Sequence, residues 1–129
     1  MIRDFRKLKI VFTKQDGKKL SLNEVESLLS SVFDIKEKWF LRGVKHILEN
    51  HYTEAIKRFQ LVDDPDANSI ILACAYKIQD KYIFDSYKSK ALSGGSLFEK
   101  FGFYPYFMYE DKTEEISKLL KDEGLIEKS

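Results

Sequence analysis

One cysteine, two prolines, six glycines and two histidines are all that this 129-residue chain holds of those types. A single cysteine excludes an internal disulfide and any multi-cysteine zinc site. So few prolines and glycines exclude collagen-like and linker-rich sequences. Long apolar runs are missing as well. The N-terminal segment offers only Ile10-Val11-Phe12, short of the roughly 7–15 apolar residues of a secretory signal. The longest uncharged window, 67–76, is about half the ~20 residues that span a bilayer. These absences point to a cytoplasmic chain outside membranes. A net charge of +1 provides no whole-molecule field toward nucleic acid or lipid.

What is present is a globular composition, 43% hydrophobic and 33% charged, too apolar for disorder and long enough for one domain. Charge is uneven. Residues 1–20 carry +5 and residues 105–129 carry −3. Aromatics are uneven too, with seven of the 18 inside 98–109. Pro105 among them argues against one continuous helix. Residues 1–20 fit two patterns. Ile2, Phe5, Leu8 and Phe12 share a helix face, whereas Leu8, Ile10 and Phe12 alternate as a strand ahead of an Asp16-Gly17 turn. Helix is favoured because the remainder reads as helical, with a short β-hairpin as the alternative. Ser21 and Glu24 form a capping box for the next helix. Helices follow over 35–49 and 54–62, the latter capped by Thr53. Residues 69–78 are apolar on every side, as a buried central helix or strand is. A further amphipathic stretch runs over 82–92. A last helix is capped by Thr113, with Ile116, Leu119 and Leu120 inward.

Trp39, Gly43, the string Tyr52-Thr-Glu54-Ala55-Ile56-Lys-Arg-Phe59 and the turn Asp64-Pro65-Asp66 together resemble a tetratricopeptide repeat. Arg42 and His46 replace the leucine and tyrosine usual in that family, and the final turn is about two residues short. Ala73, Tyr76 and Tyr82 resemble a second, weaker copy, with Asp85 where a small residue belongs. The resemblance covers about residues 36–92. It implies a mainly α fold of antiparallel helical hairpins, flanked by a basic head (1–20) and by an aromatic segment with a C-terminal helix (98–129). It also implies a concave groove lined by Phe40, Val44 and Ile47 from the first pair and by Ile70, Cys74, Lys77 and Ile78 from the second. So apolar a groove is costly to leave in water. Its cover is the aromatic segment, a second copy or a partner peptide.

Candidate chemistry is sparse. His46 and His51, five residues apart, fall on different helix faces without a matched third ligand, so no metal is expected. Asp64-x-Asp66-x-Asn68 opens like a calcium loop, but Ser69 and Ala75 stand where glycine and glutamate are required. Cys74 sits in the most apolar segment and reads as structural. No grouping supplies nucleophile, acid and base, and no cofactor motif is present. The reading is therefore a non-enzymatic module that binds a protein or peptide through Phe40, Val44, Ile47, Ile70, Cys74 and Lys77. The alternatives are a homo-oligomeric structural protein, a homodimer in the simplest case, and nucleic-acid binding through the basic head.

Overall fold

Residues 8–14 alternate apolar and polar side chains and form strand β1 (Leu8–Lys14), with Leu8, Ile10 and Phe12 buried. The computed structural model describes residues 4–90 and 93–126. Within them a single 3-10 turn, Phe5–Lys7, precedes the strand, so the helix favoured for the head is overturned. A helix would turn Ile10 away from Leu8 and Phe12, whereas a strand buries all three on one face. Ile2 lies outside the described residues. The expected turn forms at Asp16-Gly17. Gly17 takes φ +84°, and Lys14 N donates to Lys18 O at 2.8 Å. Thr13 bridges Lys19.

The main partner of β1 is remote in sequence. The aromatic segment splits into helix α6 (Leu97–Phe101) and strand β2 (Phe103–Tyr109). Strand β2 pairs antiparallel with β1, Leu8 opposite Tyr109 and Lys14 opposite Phe103. Strand β3 (Lys112–Glu115) then pairs with β2, giving the order β1-β2-β3. Pro105 is tolerated in this central strand for a specific reason. Its partner Phe12 gives its carbonyl to Leu20 N, so that edge of Phe12 faces the hairpin, not β2. On the other side, Pro105 lies one position beyond the last β2–β3 pair, Tyr106 with Glu115. No neighbour asks for the missing N–H.

Among the described residues the remaining elements are helices: α1 (Leu22–Ser31), α2 (Ile35–Leu48), α3 (Tyr52–Phe59), α4 (Pro65–Ile78), α5 (Lys81–Tyr87) and α7 (Ile116–Asp122). The protein is thus mainly helical with a small antiparallel sheet. The capping box closes α1: Ser21 Oγ accepts from Glu24 N at 3.2 Å, and Ser21 N donates to Glu24 Oε1 at 3.0 Å. Asp34, Asp64 and Asp80 cap α2, α4 and α5 by accepting from the backbone N–H of Glu37, Asp66 and Ile83. Two expected caps are corrected. Helix α3 begins after His51 with no side-chain cap, and Thr113 lies in β3, because pairing with β2 takes up 112–115 before α7 can start. No described helix is long and apolar enough to cross a membrane.

Helices α2 and α3 pack as an antiparallel hairpin, and Gly43 makes this possible. A Cβ there would lie 2.6 Å from the Phe59 ring. Ala55 is fully buried in the same hairpin. The inner face of the sheet closes over α2 and α4. Phe40 is the hub, with ring centroids 5.8 Å from Phe59, 5.9 Å from Phe98, 6.0 Å from Phe101 and 6.2 Å from Phe103. Tyr76 of α4 meets Phe107 of β2 at 5.8 Å.

Candidate functional site

The groove expected between α2 and α4 is filled. Phe40, Val44, Ile70 and Cys74 are fully buried and Ile47 nearly so. The cover is the chain's own sheet: Phe103 stacks on Phe40, and Phe12 meets Phe103 edge-on at 5.5 Å. Burial pushes the Cys74 thiol far up, so it is an inert apolar side chain. Lys77 is half-buried, and its Nζ donates to Arg6 O at 2.9 Å, beneath the turn that leads into β1. Burial lowers its pKa, with Asp4 acting in the opposite sense. The six side chains expected to meet a partner thus hold the fold together. The physical reason is the uneven aromatic distribution: the segment dense in rings supplies the cover.

Some large apolar side chains do reach water, Tyr82 of α5 among them. Phe33 is 91% exposed between α1 and α2, Ile35 is 56% exposed in the first turn of α2, and Leu61 is 52% exposed just after α3. Phe33 and Ile35 thus stand at the start of α2, and Leu61 just past the end of α3. Trp39, one turn after Ile35, lies between two guanidinium groups. Arg42 Cζ is 4.8 Å and Arg58 Cζ 5.4 Å from its ring centroid. Among the described residues Arg58 Nε is buried without a hydrogen-bond partner. Lys36 and Lys57 are exposed on the same two helices. Basic side chains of both helices thus accompany the exposed apolar ones, with the exposed Asp34 and Asp63 next to Phe33 and just past Leu61. Sequence reasoning missed this exposure because Phe33 belongs to no periodic stripe. Its signal is an aromatic placed just outside the helix, directly before the N-cap Asp34.

Hollows open along α4. One of about 250 Å³ lies between α4, β2 and α7, with Asp66, Ser69, Glu115 and Ser117 among its lining. Asp66 is nearly buried, and burial is the main cause of its raised pKa. Its carboxylate is already engaged: Oδ2 accepts from Phe98 N at 2.9 Å, tying the start of α4 to α6. Gly95 is required beside it, since a Cβ there would lie 2.4 Å from Asp66 Oδ1. Ser69 Oγ donates to the Asp66 carbonyl at 2.7 Å. These groups build a joint between helices. The second hollow, about 370 Å³, lies between α4 and α5 beside Gly124 and Leu125.

The histidines depart from the sequence reading. His46 and His51 were expected on different helix faces, but α2 ends at Leu48 and their ring centroids come within 6.1 Å. Glu49 joins them, so a third donor is present. Burial is the first cause of a lowered His46 pKa, which keeps the ring neutral. In the basic head, Arg6 pairs with Asp4 at 3.0 Å and Lys14 with Glu24 at 2.6 Å. No family model, curated protein or solved structure matches the chain.

Proposed function

We propose that the protein is a non-enzymatic interaction module that takes an acidic protein or peptide segment on the outer end of α2–α3. The observation that carries the reading is the exposure of Phe33, Ile35 and Leu61 beside the ends of α2 and α3, with Trp39 against Arg42 and Arg58. Burying a Phe, Ile or Leu side chain contributes about 1.5–3 kcal/mol each. Tryptophan and arginine are the residues that most often anchor interfaces. Lys36, Arg42, Lys57 and Arg58 on the same two helices favour a partner rich in carboxylates.

We further infer that α2–α5 are hairpins of tetratricopeptide type. Support comes from Gly43 against Phe59, the buried Ala55 and the Asp64-Pro65 turn into α4. In this chain the concave face serves the core, and binding moves to the outer edge. A reducing cytoplasm is the compartment we propose, on the strength of the single free thiol. Nucleic-acid binding through residues 1–20 is the weaker reading, because Asp4 and Glu24 already neutralise Arg6 and Lys14.

The test is capture from native cells with wild-type and F33D/L61D baits, followed by calorimetry with the purified captured protein. The double variant is expected to keep its circular dichroism and Tm but to bind at least about tenfold more weakly, a loss of about 1.4 kcal/mol. Wild-type binding should also weaken with added salt. Equal binding to both baits overturns the proposal. So does sedimentation showing a homodimer that F33D/L61D dissociates, because a second copy would then be the occupant.

A further inference from the structure

We infer that His46, Glu49 and His51 form a binding site for one divalent transition-metal ion of the zinc class. Helix α2 ends in a tight reversal. Asn50 enters the left-handed region at φ +63°. Asn50 N donates to Ile47 O at 2.9 Å, and His51 N donates to His46 O at 2.8 Å. This paired reversal is a common way to end a helix, and it sets the residue two past the cap against the residue three before it. Those two positions usually carry an apolar contact. Here both carry imidazoles, and the cap residue between them is Glu49. The backbone hydrogen bonds that terminate the helix therefore hold a His-x-x-Glu-Asn-His segment in the form of a chelate.

The geometry suits the chemistry. One donor atom from each of the three side chains lies within 4.8 Å of the others. Around zinc, bonds of about 2.0–2.2 Å place tetrahedral donors about 3.3 Å apart. Glu49 and His51 are exposed, so their side chains have room to turn toward that spacing. His46 Nδ1 is buried, lies 4.0 Å from Glu49 Oε1, and has no hydrogen-bond partner among the described residues. A buried polar atom without a partner is uncommon and calls for an ion or a water.

Two neutral imidazoles and one carboxylate are borderline donors. They suit zinc, cobalt(II), nickel(II) or copper(II) over calcium and magnesium, which prefer all-oxygen shells. The charges that act on His46 are Glu49 and Glu54, with Arg58 and His51 opposing. Glu49 and His51 are exposed, so the fourth coordination position opens to solvent and takes water or an external donor.

The test uses the full chain after chelator dialysis, titrated with Co²⁺ alone and followed by its visible absorption. Zn²⁺ displacement is then measured by calorimetry. One equivalent should bind and give the spectrum of a nitrogen–oxygen shell without thiolate bands, since Cys74 is buried. E49Q and H51A both change exposed side chains, and their fold is checked by circular dichroism. Each should weaken binding at least about tenfold, the low end for perturbed metal shells. Amide resonances broadened by Co²⁺ should centre on residues 46–51. Absence of saturable one-equivalent binding overturns the inference. So does an unchanged isotherm in E49Q and H51A, or broadening centred elsewhere.

Discussion

Single positions in this protein are constrained by contact, and Phe40 and Gly43 show it one turn apart on α2. Phe40 touches four other rings. Its loss leaves a cavity and forfeits several aromatic contacts, so Phe40→Ala should cost about 3–5 kcal/mol in chemical denaturation. A charge at Phe40 would be buried without a partner, and Phe40→Asp should leave no cooperative transition at all. Gly43 fails in the opposite way. A methyl there meets the Phe59 ring at 2.6 Å, and overpacking of this kind costs about 1–3 kcal/mol. Gly43→Ala should fall in that range, although alanine is the better helix former. A Gly43→Ala variant at least as stable as wild type would show that Phe59 is not held where it lies. Much of this scale was legible in the sequence. The small residue four after Trp39 and the aromatic at 59 mark the close approach of two helices. What remained hidden was which side of Phe40 faces its cover, because that cover comes from residues 98–103.

Elements are joined by polar caps that also reach a neighbour, and α1 is the clearest case. Glu24 closes the capping box and pairs with Lys14 of β1 at 2.6 Å. Lys14 first, and the Ser21 backbone and hydroxyl next, hold the Glu24 carboxyl at about 2, below its ordinary 4.5. A carboxyl lowered on folding binds fewer protons than in the unfolded chain. Its contribution is therefore present above about pH 4.5 and is lost as pH falls toward 2. Thermal unfolding followed at closely spaced pH values should show Tm falling through that window, and E24Q should flatten the fall. An E24Q profile parallel to wild type would place the acid sensitivity elsewhere. Ser21→Ala, which removes the hydroxyl acceptor without touching a charge, should cost about 1 kcal/mol at neutral pH. The capping box could be read from Ser21 and Glu24 alone. Strand β3 could not. Its turn, Glu110-Asp111, carries no glycine, yet Glu110 takes φ +57°, and Thr113 with two following glutamates imitates a helix start. The metal-like cluster stayed hidden for a related reason. A uniform helical spacing separates His46 from His51, whereas the reversal at Asn50 brings them together.

The whole molecule is bound by contacts between its two ends. Strand β1 at the start of the chain pairs along its full length with β2 near the end, and together they cover the helices between. Buried residues run from Leu8 to Leu120 in a single cluster. A repeat array would behave differently, since each unit there contacts only its sequence neighbours and partial unfolding is tolerated. Helices α2–α5 here share one core with the sheet, in which Phe98, Phe101 and Phe103 pack on Phe40 and Phe107 packs on Tyr76. Denaturant unfolding should therefore be one transition by every probe. Trp39 fluorescence reports α2 and its contacts with Arg42 and Arg58, near-ultraviolet dichroism reports the packing of Trp39 and the seven tyrosines together, and far-ultraviolet dichroism reports the helices. Their midpoints should coincide, and a fragment of residues 1–96, which lacks α6, β2, β3 and α7, should remain unfolded or aggregate in buffer. A fragment that keeps the helical spectrum and a sharp transition would mean that the helical array is self-sufficient and the sheet only an accessory to it. The same result would reopen the groove lined by Phe40 and Val44 as a surface that a partner could reach.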